Sequence, residues 1–210
     1  NHYHLILRVP EGKLSQCMQW LNVSYGVWFN RRHNRVGPLF QGRYKSVPVS
    51  GGSWLHRLSQ YVHLNPVRVR WLGLDQRGRR IESLGLKGAA NADEAMERLK
   101  VLRGHQWSSY QFYGGYAKSP QWLDCGTILK RAGGRTLKEQ TARYRADLEG
   151  YVRGGYKEDW AARLRSKLAI GTEEFTHEIK LSLSGGNREA PCKRELRQIC
   201  SFEEIVRAVE

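Results

Sequence analysis

The stretch NHYHLILRV at residues 1–9 alternates in hydrophobicity as a β-strand does. On such a strand His2 and His4 point to one face, and the apolar Leu5 and Leu7 point to the other. Side chains two positions apart stand roughly 6–7 Å from one another along a strand. Two imidazoles at that spacing can chelate one divalent ion but cannot complete its coordination shell. The stretch therefore predicts a strand with one buried face and a candidate metal pair on the other.

Downstream of this stretch the apolar pattern becomes helical. A first helix is predicted by apolar residues that recur at spacings of three and four: Leu14, Met18, Leu21, Tyr25 and Trp28. The glycine-bounded segment up to Pro48 is expected to be extended and near a sheet edge, because proline cannot donate to a ladder. A second helix is expected to begin with Ser53 as its N-cap and to end near Asn65, before Pro66.

The remaining chain is more polar. Residues 75–100 include QRGRR and are predicted to form a loop or insertion. The aromatic-rich segment HQWSSYQFYGG at 105–115 is expected to end in a turn, and the chain from Thr127 onward is expected to be helical with mixed charge. SGGNREAPCKRE is predicted to be a basic linker, followed at Ser201 by the capped start of a helix.

The charge of the chain predicts a polyanionic partner. Its formal net charge is +15 and its pI is about 10.0. No Asp or Glu occurs between Gly12 and Leu74, and that span is also rich in aromatic residues. A basic stretch with aromatic side chains suits single-stranded nucleic acid. The basic residues that we expect to contact DNA are Arg31, Arg32, Arg35, Arg43, Lys45 and Arg68.

Two other classes of protein fit the composition poorly. No apolar run approaches the ~18 residues of a membrane span, so no membrane partner is expected. The four cysteines lack CxxC spacing, which predicts free thiols in a reducing cytoplasm and no structural zinc site. With no signal peptide in the sequence, a cytoplasmic location is expected.

The motif YVHLN in the second helix contains the candidate nucleophile. Tyr61 and Asn65 are four residues apart and share one helical face. Residues 54–65 contain no carboxylate, which argues against a glycosidase or a two-metal carboxylate nuclease. A phenol is a poor nucleophile at neutral pH unless a cation stabilises the phenolate. The composition fits a covalent mechanism in which Tyr61 attacks and a divalent ion activates the electrophile.

Several strings occur in a family-specific order. They are NHYHLIL, SYGVWFNRRHNRVGPLFQGRYK, LSQYVHLNPVR, QWSSYQFY, WLD and GTEEF. In this order they resemble the REP-associated tyrosine transposases, which are bacterial members of the single-tyrosine HUH superfamily, and they cover most of the chain. The resemblance implies an α+β fold: a ferredoxin-like or RRM-like antiparallel sheet with packed helices, whose N-terminal part is missing here, followed by a mostly helical C-terminal region.

The resemblance also implies roles for individual residues. The HUH pair would be His2 and His4, the nucleophile Tyr61, and the third ligand of Mg²⁺ or Mn²⁺ would be Asn65. His63 is the competing candidate for that ligand, although it lies about 200° away from Tyr61 around the helix. The implied enzyme nicks and rejoins single-stranded DNA beside palindromic hairpins, through a 5′-phosphotyrosine intermediate that conserves the bond energy.

The family pattern also divides the chain into segments. The expected catalytic core is 1–75, which lacks the strand and helix that precede the HUH strand in the family. An insertion with an aromatic segment at 76–125, a helical region at 126–185 and the start of a helix-turn-helix at 186–210 would follow. We therefore expect the chain as given to nick weakly or not at all. Its oligomeric state is expected to be either a monomer or a homodimer.

Two alternatives remain open at this point. The chain could be a truncated or domesticated relative that binds hairpin or single-stranded DNA without cutting it. It could also be a relaxase or a rolling-circle initiator, classes that often use a third histidine or two tyrosines on the helix. The second helix contains only Tyr61, which disfavours the latter classes.

Overall fold

A computed structural model describes residues 2–9, 12–86, 90–154 and 169–184. Its α-helices in these ranges are α1 (Leu14–Arg32), α2 (Ser53–His63), α3 (Gln76–Ser83), α4 (Ala92–Gly104), α5 (Tyr110–Tyr113), α6 (Gly126–Leu129), α7 (Leu137–Gly154) and α8 (Glu173–Ser184). Short 3-10 helices occupy Asn65–Val67, Arg70–Leu72 and Lys130–Ala132. The described residues form two compact units that meet in sequence between Val47 and Pro48. The division into four segments by motif order stays a prediction.

The prediction of an antiparallel sheet is wrong. Within the described ranges the only β-type pairing is an isolated parallel bridge between Val49 and Ile170. Around this bridge Ser50 N–H donates to the carbonyl of Ile170 at 2.8 Å, and Ile170 N–H donates to the carbonyl of Pro48 at 2.9 Å. The architecture of the described residues is therefore helical and not ferredoxin-like or RRM-like.

The alternating stretch 2–9 shows why the sheet was predicted wrongly. A strand is stable only where a neighbouring strand satisfies its backbone hydrogen bonds, and the described residues provide none. Tyr3 and Leu5, on the face expected to be buried, are 43% and 50% exposed. Tyr3 instead makes side-chain contacts: its hydroxyl donates to Asn22 Oδ1 at 2.5 Å, and its ring packs edge-to-face on Phe40.

Helix α1 confirms the predicted first helix, but most of its surface is open. Met18 is its one buried residue. Trp20 and Trp28 are 71% and 57% exposed, and Val23 is also exposed. The apolar side chains of α1 thus point to several sides of the helix and do not form a single core-facing stripe.

The second unit has a continuous apolar core. Helix α7 contributes Tyr144, Leu148 and Val152, which recur every four residues and are fully buried. Burial of each such side chain stabilises the fold by roughly 1.5–3 kcal/mol. The other core residues come from α4, α5, α6 and the segment after α2: Leu64, Val67, Leu72, Leu74, Leu99, Leu102, Tyr110, Tyr113, Cys125, Ile128 and Leu129.

A buried carboxylate joins three helices within this unit. Glu149 on α7 accepts hydrogen bonds from Nε and Nη2 of Arg103 at the end of α4. It also accepts from the hydroxyls of Tyr110 and Tyr116, in and just after α5. Because a buried charge is tolerated only when it is paired and hydrogen-bonded, this network fixes the segment between α4 and residue 116 against α7.

The prediction of a loop at residues 75–100 is wrong as well, because α3 and most of α4 lie there. Asp75 caps α3 by accepting from Gly78 N–H at 2.9 Å, and Asn91 with Glu94 forms a capping box at the start of α4. The polar composition misled the prediction because Arg98 is buried, where its Nε donates to the carbonyl of Leu72 and its Nη2 to the carboxylate of Glu82.

Helix α2 occupies the predicted range but begins differently. Ser53 is its first residue and not its N-cap, since Gly52 holds the cap position with a φ of +74°. The expected turn after the aromatic segment is present at Gly115, whose φ is also +74°. The predicted helix start at Ser201 lies outside the described residues. No helix in the part of the chain that the structure describes combines the length and apolar character needed to cross a bilayer.

Candidate functional site

Helix α2 has a buried face, and Tyr61 points away from it. Ser59 and His63, which flank Tyr61 by two positions on either side, are only 1% and 3% exposed. Because residues two apart on a helix point about 200° away from each other, both flanking side chains point away from Tyr61. Tyr61 is half-buried. The burial of Ser59 and His63 thus directs the phenol to the opposite side of α2.

Three side chains meet at the C-terminal end of α2, and we call them the Tyr61 cluster: Tyr61, Asn65 and Arg68. The guanidinium carbon of Arg68 lies 4.2 Å from the centroid of the Tyr61 ring, which is cation–π geometry. Nη1 of Arg68 also donates to Oδ1 of Asn65 at 3.2 Å. The structure therefore brings together the predicted nucleophile, one predicted ligand and one predicted DNA contact.

The side-chain amide of Asn65 has a defined orientation. Arg68 can only donate hydrogen bonds, so the atom of Asn65 that faces it must be the carbonyl oxygen. Nδ2 of Asn65 is buried and finds no acceptor in the described part of the chain. An amide oxygen has two lone pairs and is a ligand type that Mg²⁺ accepts. The side-chain oxygen of Asn65 therefore has the chemistry expected of a metal ligand.

Both ring nitrogens of His63 are occupied by hydrogen bonds, unlike those of a histidine that binds a metal ion. Its Nδ1 lies 2.8 Å from the hydroxyl of Tyr144, and its Nε2 lies 2.9 Å from Oγ of Ser109. Burial lowers the pKa of His63 to about 3, so the ring is neutral. With both ring nitrogens engaged inside the core, His63 presents no lone pair to an ion at the surface.

His2 and His4 converge at their ring nitrogens. The two Nε2 atoms are 3.1 Å apart, and the rings are nearly perpendicular. Two ligands at about 2.0–2.1 Å from one ion would be separated by about 2.9 Å in an octahedral shell and about 3.4 Å in a tetrahedral shell. The observed separation falls between these values, so the pair fits two positions around a divalent ion.

The histidine pair cannot by itself complete a coordination shell. The described residues contain no group of three or more His, Cys, Asp or Glu side chains that could hold a metal ion. His2 and His4 belong to the first unit, whose described residues end at Val47, and Tyr61 and Asn65 belong to the second unit, which begins at Pro48. Each pair is therefore assembled within its own unit.

The other predicted DNA contacts lie on the surface of the first unit. The exposed cations there are Arg31, Arg32, Arg35, Arg43 and Lys45. They accompany the exposed indoles of Trp20 and Trp28. Because residues 2–9 and 12–47 contain no Asp or Glu, no acidic side chain of the described part of this unit neutralises these cations. This surface offers cations for phosphates and rings for bases.

Sequence reasoning missed the partners of His63. Tyr144 is fully buried on α7, and Ser109 lies in the WSSY string just before α5. Both are far from His63 in sequence. The helical spacing of Tyr144 with Leu148 and Val152 indicates a buried face but not the partner of its hydroxyl, so the residues alone gave no signal of these contacts. No family model, curated protein or solved structure matches the chain.

Proposed function

We propose that this protein binds single-stranded or hairpin DNA and cleaves and rejoins one strand through a covalent bond to Tyr61. The observation that carries the proposal is the Tyr61 cluster, in which one guanidinium, that of Arg68, lies over the half-buried ring of Tyr61 and donates to the amide oxygen of Asn65. Residues 54–65 supply no carboxylate for hydrolysis by general acid–base catalysis. A phenol supported by a cation suits attack on a phosphodiester, which is already negatively charged.

The proposed reaction exchanges one phosphoester bond for another. The Oη atom of Tyr61 attacks the phosphorus, the Oη–P bond forms, and the bond between phosphorus and the 3′ oxygen breaks. The phenol proton passes to solvent and the departing 3′ oxygen gains one, which leaves a free 3′ hydroxyl and a 5′-phosphotyrosine. Attack by a 3′ hydroxyl on the phosphotyrosine reverses these steps and rejoins the strand without an external energy source.

Arg68 has a direct role in this proposal. Its guanidinium lies over the ring of the proposed nucleophile, where it offers a partner for the phosphate. The divalent ion that the family resemblance implies would be held by His2 and His4, whose converging Nε2 atoms fit two positions around it. When bound, such an ion neutralises charge on the phosphate.

The test of the proposal is a covalent adduct. The protein is mixed with labelled single-stranded DNA that contains a hairpin, with Mg²⁺ or Mn²⁺, and adducts are detected on denaturing gels. We expect a small but detectable amount of adduct with the natural chain, in line with the weak nicking expected of it, and none with Tyr61→Phe, which removes only the hydroxyl, whereas both proteins bind the DNA. Tyr25→Phe, which removes a hydroxyl from the first unit, is the matched control and should form the adduct normally. An undiminished adduct with Tyr61→Phe would refute the proposal.

A second candidate function is DNA binding without cleavage. It is favoured by the placement of His2 and His4, which are exposed and lie outside any helix or strand. A segment without the backbone hydrogen bonds of a helix or strand holds a catalytic geometry poorly. Tight hairpin binding with no adduct in either metal would identify the protein as a binding module.

A further inference from the structure

A chain of buried and partly buried hydrogen bonds lies on the side of α2 that faces away from Tyr61. Oγ of Ser109 lies 2.9 Å from Nε2 of His63, and Nδ1 of His63 lies 2.8 Å from the hydroxyl of Tyr144. The hydroxyl of Tyr144 lies 2.9 Å from Oγ of Ser59, and Ser59 in turn donates to the carbonyl of His56 at 2.7 Å. We call these four side chains the α2 clamp: Ser59, His63, Ser109 and Tyr144.

The direction of every hydrogen bond in the α2 clamp follows from the bond that Ser59 donates to a backbone carbonyl. Ser59 uses its one proton on the carbonyl of His56, so it must accept from Tyr144. Tyr144 has then used its own proton and must accept from Nδ1–H of His63. Nε2 of His63 therefore has no proton and accepts from Ser109. One tautomer of His63 satisfies the whole chain, which specifies a single arrangement.

The α2 clamp ties α2 to two other parts of the second unit. Tyr144 belongs to α7, and Ser109 immediately precedes α5, a segment that the Glu149 network also fixes to α7. Ser59 and His63 lie on either side of Tyr61 along α2. Restraints at both of these positions oppose rotation of α2 about its axis, the motion that would swing the phenol away from its place beside Arg68.

We propose that the α2 clamp positions Tyr61 for attack, with Ser59, His63, Ser109 and Tyr144 as positioning residues. Its catalytic consequence rests on the proposed function of Tyr61. A displacement near 1 Å of a reacting group can cost about a hundredfold in rate, so a helix that holds a nucleophile gains from such restraints. The clamp also gives a physical reason for two strings to occur together: YVHLN supplies His63, and WSSY supplies its hydroxyl partner.

The test compares two buried tyrosines that both pack against His63. Tyr144→Phe removes a hydroxyl of the α2 clamp. Tyr113→Phe removes a hydroxyl that donates to the carbonyl of Asp124 and takes no part in the clamp, although the Tyr113 ring lies 4.8 Å from that of His63. Both variants should lower the Tm, Tyr144→Phe by more, because its hydroxyl takes part in two hydrogen bonds and that of Tyr113 in one.

Two readouts separate positioning from stability. The first is the ¹⁹F spectrum of the full chain with 3-fluorotyrosine at position 61, which should show one narrow line in the natural chain and in Tyr113→Phe. Tyr144→Phe should broaden or split this line. The second is the single-turnover rate of adduct formation, which Tyr144→Phe should lower about tenfold with an unchanged Kd for DNA. Tyr113→Phe should leave that rate unchanged.

Ser109→Ala and Ser109→Thr test the other end of the clamp and cover the case in which Tyr144→Phe fails to fold. Ser109→Ala should reproduce the ¹⁹F broadening and the slower rate, and Ser109→Thr, which keeps the hydroxyl, should restore both. Equal effects of Tyr144→Phe and Tyr113→Phe, or an unchanged ¹⁹F line in the clamp variants, would overturn the inference. If the natural chain forms no adduct, the proposed function fails, whereas the ¹⁹F line still decides whether the clamp positions Tyr61.

Discussion

At the scale of the residue, the motif YVHLN contains two polar side chains with opposite environments. His63 lies in the core, where Tyr144 and Ser109 occupy its nitrogens, and Asn65 lies at the helix end beside Arg68. The sequence left both residues open as candidate ligands. Their burial and partners separate them, because a nitrogen that is already hydrogen-bonded in the core is not available to a surface ion.

The environment of His63 predicts how stability depends on pH. Burial lowers its pKa from 6.5 to about 3, so below pH 6.5 the unfolded chain binds a proton that the folded chain does not. The free energy of unfolding should therefore fall as the pH decreases from 6.5 towards 3, by about 1.4 kcal/mol per pH unit for this group. Burial lowers the pKa of His56 as well, so it acts in the same direction.

Urea unfolding at several pH values between about 5 and 7 checks this prediction. His63→Gln removes the titrating group and keeps polar atoms in its place, so its loss of stability towards low pH should be smaller than that of the natural chain. If the free energy of unfolding falls in parallel for the two proteins as the pH decreases, His63 is not the source of the pH dependence.

The histidine pair makes a separate prediction about metal. Mn²⁺ should bind the natural chain, as measured by calorimetry, and His2→Ala or His4→Ala should weaken binding at least about tenfold. His33→Ala is the control, since His33 belongs to the same unit but stacks on Phe29. If Mn²⁺ binds equally to the natural chain and both histidine variants, the pair is not a metal site.

At the scale of the element, two glycines in helices make opposite predictions. A Cβ on Gly78 of α3 would lie 1.9 Å from the carbonyl oxygen of Gly73, a backbone atom that cannot move aside. Gly78→Ala should therefore destabilise the fold by about 2–3 kcal/mol. Gly150 of α7 has nothing within 4 Å of that position, so Gly150→Ala should stabilise it by up to about 1 kcal/mol.

Thermal unfolding of the two alanine variants provides the check. The pair isolates steric crowding, since both substitutions add one methyl group at a helical glycine. A stable Gly78→Ala protein would mean that the tight turn between Gly73 and α3 is wrongly placed.

The helices also show how far the sequence could predict this fold. The periods of α1 and α2 are local properties, and both helices form where their patterns predict. A strand at 2–9 depends on a neighbouring strand elsewhere, which alternation cannot reveal. Residues 75–100 were misread because a buried Arg98 looks like a loop residue until its partners Leu72 and Glu82 are known. Caps such as Asn91 with Glu94 were legible in the sequence and could have corrected this.

The candidate site was predictable to a similar degree. The helical spacing of Tyr61 and Asn65 indicated a shared face, and the structure places both against Arg68. The α2 clamp was not predictable, because its contacts join residues far apart in sequence whose types occur widely in cores. Long-range side-chain contacts of this kind need the packing of helices before they can be assigned.

At the scale of the whole molecule, charge is divided unequally along the chain. The described part of the first unit contains cations but no carboxylate, and the second unit contains both signs. Replacing Arg31, Arg32 and Arg35 by Ala should lower the slope of log K against log salt for single-stranded DNA by about 2, because each phosphate that is no longer neutralised lowers it by about 0.7. The measurement is a fluorescence titration at several salt concentrations.

A matched control removes the same charge from the second unit. Lys100, Lys118 and Lys138 are exposed there, and their replacement by Ala should change the slope far less. Equal changes in the two triple variants would mean that DNA responds to net charge alone and not to the basic surface of the first unit.

The most direct test of the central claim is to find which atom is bonded to DNA. The adduct is digested with nuclease and trypsin, and the modified peptide is sequenced by mass spectrometry. Cleavage after Arg57 and Arg68 releases LSQYVHLNPVR, in which Tyr61 is the only tyrosine. We expect a nucleotide phosphate on Tyr61 in this peptide. A nucleotide on any other residue, or tight DNA binding with no modified peptide at all, would contradict the account.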